Sequence, residues 1–117
     1  MPERCVATVS VYSGRPDPEW PLDAKQIAEL RRAWRTLALY SARVPAAPGL
    51  GYRGVVVRCP SGEAWHVFGG AVTHHDGRGA ADHRLDDARR LEKMLLATAP
   101  RGVVPSGLPG MDDLREP

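Results

Sequence analysis

Apolar and polar residues alternate from the start of the chain. Cys5, Ala7, Val9 and Val11 fall on one side, Thr8 and Ser10 on the other. A period of two over residues 4–13 predicts a half-buried strand. The next stretch, Ser13-Gly14-Arg15-Pro16-Asp17-Pro18-Glu19-Trp20-Pro21, breaks that pattern with three prolines. Proline fixes φ and donates no ladder hydrogen bond. The segment is therefore expected to be a stiff, extended loop with Trp20 as its apolar anchor.

The period then changes to that of a helix. Ile27, Leu30, Trp34 and Leu37 form one apolar face, with Arg31, Arg32 and Arg35 on the other side. This predicts an amphipathic helix from about Asp23 to Leu39, and Asp23 with Gln26 has the spacing of a capping box. Proline and glycine mark Val44 to Gly51 as a loop. Residues 52–59 read as a second strand, Pro60-Ser61-Gly62 as a turn, and residues 63–74 as a third strand that closes a hairpin. Gly69-Gly70 inside that strand suggests a bulge or a close backbone approach. Residues 75–82 read as a loop. The last helix is expected from about Asp86 to Ala99, with Asp86 as N-cap and Leu85, Ala88, Leu91, Leu95 and Ala99 as its apolar face.

The predicted order is β-α-β-β-α. The expected fold class is α+β: a small, mostly antiparallel three-stranded sheet with two helices packed on one face. Residues 1–99 make a single domain, and residues 100–117 a Pro/Gly-rich tail. Three strands leave open edges, so a homodimer through a sheet edge or the exposed sheet face is expected.

Size and composition narrow the function. A chain of 117 residues supports one core. No apolar run approaches the ~18 residues of a membrane span, and the first residues lack the apolar stretch of a signal peptide. The expected compartment is the cytoplasm. A net charge of +2 argues against nucleic acid, which leaves a clearly basic footprint. Cys5 and Cys59 sit in strand-like segments, and in a reducing compartment are expected as free buried thiols. A disulfide between neighbouring strands is the alternative.

Candidate chemistry concentrates between His66 and His83, which span all four histidines of the chain. Imidazole titrates near neutrality and is the commonest metal ligand. His66 and His74 share parity on the expected third strand, and His74-x-Asp76 and His83 could close around them. The candidate divalent-metal set is thus His66, His74, Asp76 and His83. The candidate acid/base set is His74, His66 and Glu92. No His-Glu-x-x-His or similar motif supports either set, and a solvated loop produces the same run, so the favoured cofactor reading is none. Glu92 falls inside the apolar stripe of the last helix. It reads as a general acid with a raised pKa or, preferred, as an ion pair with Arg89 or an arginine of the other helix.

Arg15, Asp17 and Trp20 form a third candidate, a binding surface on the Pro-rich loop, since Trp and Arg dominate binding hot spots. Its alternative is structural, with Trp20 stapling the first helix. The leading expectation is a small soluble binding or accessory protein that holds a protein, peptide or small-molecule partner through this loop. The alternative is a small acid/base or metal-dependent enzyme that uses the histidines. No contact with membrane is expected.

Overall fold

The computed structural model describes residues 4–12, 14, 16–40, 43 and 51–105. Arg15, most of the Val44–Gly51 loop and the tail beyond residue 105 lie outside them. The elements are β1 (Cys5–Val9), β2 (Glu19–Leu22), α1 (Ala24–Thr36), β3 (Val55–Arg58), β4 (Ala64–Phe68), β5 (Ala71–His75), β6 (Ala81–Leu85) and α2 (Arg90–Ala97), with a short 3-10 turn, Asp87–Arg89, before α2. The strands form one six-stranded sheet in the order β2-β1-β3-β4-β5-β6, and every pairing is antiparallel. This corrects the expected three-stranded sheet with two helices on one face.

Each additional strand has a local cause. Gly69 and Gly70 have φ of 64° and 90°, and Phe68 pairs with Ala71. Two consecutive positive φ values define a tight two-residue hairpin turn that glycine adopts without steric cost. The expected third strand is therefore two strands, β4 and β5, folded back on each other. β5 turns into β6 through Asp76, whose Oδ1 accepts from the backbone N–H groups of Arg78 (2.7 Å) and Ala80 (3.2 Å). β2 forms despite its proline because it is an edge strand. Its Trp20 and Leu22 backbones face β1, and Pro21 removes only an outward donor.

The helices are shorter than their hydrophobic periods suggest. The capping box closes α1 as expected, with Asp23 accepting from Gln26 N–H (2.7 Å) and Gln26 Oε1 from Asp23 N–H (2.9 Å). The helix stops at Leu37 because the following residues pair with β6. Leu85 N–H donates to Ala38 O (2.7 Å) and Tyr40 N–H to His83 O (3.1 Å). At the other end, Asp86 precedes the 3-10 turn rather than the α-helix itself. Ala88 and Arg89 adopt left-handed φ of 55° and 57°, and α2 begins after them. The Asp86 carboxylate still caps it by accepting from Leu91 N–H (2.8 Å) and Glu92 N–H (3.0 Å).

Inward-facing residues of β1 to β5, together with Ile27, Leu30 and Trp34 of α1 and Leu91 and Leu95 of α2, join a single buried cluster. Cys5 and Cys59 lie within it and are joined by a disulfide, with Cα atoms 4.2 Å apart. Continuing the β1–β3 register places them opposite each other at a non-hydrogen-bonded position, where facing Cα atoms approach most closely. The expected free thiols are thus replaced by a cross-strand bridge. Among the described residues no helix is long and apolar enough to cross a membrane.

Candidate functional site

The sheet register separates the histidines. His74 pairs with Trp65, whereas His66 pairs with Thr73 and Thr73 with His83. Facing residues share a side of the sheet and neighbours along a strand alternate. His66, His75 and His83 therefore lie on one face, and His74 lies on the other, beside the core. The hairpin at Gly69-Gly70 causes this split, since a single continuous strand would have kept His66 and His74 together. The Asp76 carboxylate is committed to its own turn, where two backbone donors hold it below the usual carboxylate range. Among the described residues no group of three or more His, Cys, Asp or Glu side chains is placed to hold a metal ion. This overturns the metal set His66, His74, Asp76 and His83, and the histidine cluster with it.

The structure gives each histidine a different set of neighbours. His74 Nε2–H donates to Glu63 Oε2 at 2.9 Å, and Arg31 Nη2 from α1 holds the other oxygen of Glu63 at 2.9 Å. The His74 ring packs against Trp34 and Trp65, with centroids 5.1 and 5.0 Å away. Arg84 covers Trp34 at 4.3 Å and donates to its carbonyl. This stack ties α1 to β4, β5 and β6. On the other face, His66 Nε2–H donates to the Arg53 carbonyl at 3.1 Å, and His83 Nδ1 pairs with Thr73 Oγ1 at 2.9 Å.

Glu92 is completely buried and has a full set of partners. Arg89 grips both carboxylate oxygens, at 3.0 and 2.9 Å. Gly69 N–H donates to Oε1 at 3.1 Å, and the Tyr52 hydroxyl makes a short hydrogen bond to Oε2. The ion pair with Arg89 is the arrangement that the sequence favoured. Bidentate pairing and two further donors compensate the desolvated charge, so the network serves as a structural tie between α2, the β4–β5 turn and Tyr52. Burial and the adjacent carboxylate of Glu92 push the Tyr52 hydroxyl well above its ordinary value of 10.0.

The Tyr52 shift has a defined sign. Below pH 10 the phenol is protonated in both the folded and unfolded chains and contributes no pH dependence. Above it, the unfolded chain releases the proton and the folded chain keeps it, so stability falls as pH rises. The expected slope from this group is about 1.4 kcal/mol per pH unit. Tyr52→Phe should remove that slope in urea unfolding followed between pH 9.5 and 11. Equal slopes in the two proteins would show that Tyr52 ionises freely when folded.

The Pro-rich loop takes a structural part where it is described. Asp17 Oδ1 accepts from Val11 N–H (2.9 Å) and Tyr12 N–H (2.7 Å), which closes the β1–β2 connection. Trp20 is buried in the core, and its Nε1–H donates to Thr98 Oγ1 at 2.8 Å beyond the end of α2. Neither side chain is presented outward for a partner.

A concave site occurs elsewhere, between the two helices. A cleft of about 270 Å³ is walled by Ala33, Thr36 and Leu37 from α1 and its end, by Asp86 and Asp87, and by Arg90, Leu91 and Met94 of α2. Its interior is mainly apolar, while Asp87 and Arg90 stand exposed at the rim. Burial raises the pKa of the Asp86 carboxyl at one wall, and the amide donors of Leu91 and Glu92 oppose that shift. Leu39, a large hydrophobic side chain left exposed, follows the wall residue Leu37 by two positions. Sequence reasoning missed this site because its walls come from two segments distant in sequence, residues 33–37 and 86–94. The available signals were Leu39, which continues past the helical stripe, and the doubled Asp86-Asp87. Comparison with known protein families, curated proteins and solved structures gives no match.

Proposed function

We propose that this protein is a binding module that receives a bulky apolar side chain of a partner protein in the cleft between α1 and α2. The carrying observation is the cleft itself, an apolar pocket with one exposed charge of each sign among its wall residues. Pockets for drug-sized ligands and cofactors run from about 300 to 1,000 Å³. At about 270 Å³ this one lies at the small end of that scale and has room for one bulky side chain. The left-handed turn at Ala88 and Arg89 borders it, and backbone held in such conformations recurs at ligand sites.

Selection of binders from a random decapeptide library tests this reading. Enriched peptides should share one large apolar residue. Ala33→Trp, which fills the cleft from α1, should weaken them by roughly tenfold to a hundredfold, since burying such a side chain contributes about 1.5–3 kcal/mol. Peptides that bind Ala33→Trp as tightly as the natural chain would place the site elsewhere.

A further inference from the structure

The sheet register sorts charge as well as histidines. On the face away from the core, the pairings align Arg58, His66, His75 and His83 among valine, alanine and threonine, with Phe68 and Leu85 at the end near the β4–β5 turn. Arg4, one residue before β1, extends the same alternation. Glu19, on the edge strand β2, is the one carboxylate that the pairings bring to this face. Val6, Val56 and Ala64 on this face are half-buried and do not belong to the buried cluster, whereas Ala71 and Thr73 of β5 are buried beneath their neighbours. The side chains of Arg4 and Arg58 are exposed and form no ion pair or hydrogen bond among the described residues. The modest net charge of the whole chain conceals this separation.

We infer that this sheet face is a docking surface for single-stranded nucleic acid. Charge complementarity supplies the first argument, because two unpaired arginines suit phosphates. Shape supplies the second. The major groove of a duplex admits a helix or a two-stranded ribbon, not the face of a broad sheet, whereas splayed bases lie flat on such a face. The rings supply the third. His66 is fixed by the Arg53 carbonyl and His83 by Thr73, and they stand two strands apart, about 9–10 Å. Imidazole planes accept stacked bases. This surface is separate from the interhelical cleft, and the inference does not depend on what the cleft binds.

The test is fluorescence anisotropy with a labelled fifteen-residue oligouridine at 20–200 mM salt. The natural chain should bind at low salt and weaken as salt rises. Each arginine at a phosphate contributes about 0.7 to the log–log salt slope, so Arg4→Ser with Arg58→Ser should reduce that slope by about 1.4. His66→Ala should weaken binding about fivefold or more at unchanged slope, as expected for a lost stacking platform. Thermal unfolding of each variant checks that the fold is intact. No binding at 20 mM salt overturns the inference, as does binding that the arginine pair does not affect. Equal affinity for a polyglutamate peptide overturns it in favour of an acidic protein partner.

Discussion

Arg89→Ala is expected to destabilise the protein by about 3–5 kcal/mol. The reason lies in what the substitution leaves behind. Glu92 has no exposed surface, and Arg89 is the cation that neutralises it, through two hydrogen bonds. Once arginine is gone, the Tyr52 hydroxyl and Gly69 N–H remain as donors, which places the expected cost near the lower end of that range. The backbone adds nothing to the difference, because alanine and arginine meet the same penalty at a left-handed φ. Glu92→Gln should cost less. It removes the buried charge, keeps an acceptor for Tyr52 and Gly69, and leaves an arginine whose side chain is 26% exposed to water. Urea unfolding at neutral pH measures both. A lower midpoint at unchanged slope reports stability. If Arg89→Ala cost no more than Glu92→Gln, the burial assigned to the pair would be wrong.

Removal of the Cys5–Cys59 bridge, as Cys5→Ala with Cys59→Ala, is expected to cost about 4 kcal/mol. The two cysteines are 54 positions apart, and closing a loop of that length restricts the unfolded chain by about this amount in the chain-entropy description. Domains of this size are commonly stable by only 5–15 kcal/mol, so the bridge is a large share of the total. It also joins β1 to the end of β3, the contact through which the β1–β2 hairpin meets the four-strand meander β3–β6. A reductant added to the natural chain should shift the unfolding midpoint in the same direction as the double substitution, with no further effect on the variant. An unchanged midpoint on reduction would show that the thiols are not bridged in solution.

The parts of this fold that follow local rules were legible from the chain. β1 came from its alternation, α1 and its cap from Asp23, Gln26 and the Ile27–Leu30–Trp34 stripe, and the β3–β4 turn from Pro60-Ser61-Gly62. The errors share a cause: edge and turn geometry leaves little hydrophobic signal. β6, Ala-Asp-His-Arg-Leu, has a polar sequence because one side meets the short 38–40 segment and its side chains are half or fully exposed. β2 contains a proline that only an edge strand tolerates. Gly69-Gly70 carried the information for a hairpin but equally suited a bulge, and that one choice placed His74 on the wrong face. The disulfide depends on register between distant segments, which spacing alone does not determine. Of the candidate sites, the Glu92–Arg89 contact followed from helical spacing, while the cleft required the tertiary arrangement.

The most direct test of the binding-module reading is a methyl and amide NMR titration with a small apolar probe, N-acetyl-leucine methylamide. Saturable shifts that centre on Ala33, Leu37, Leu91 and Met94, absent in Ala33→Trp, are expected. Shifts scattered over the surface, or shifts that persist in Ala33→Trp, would contradict it.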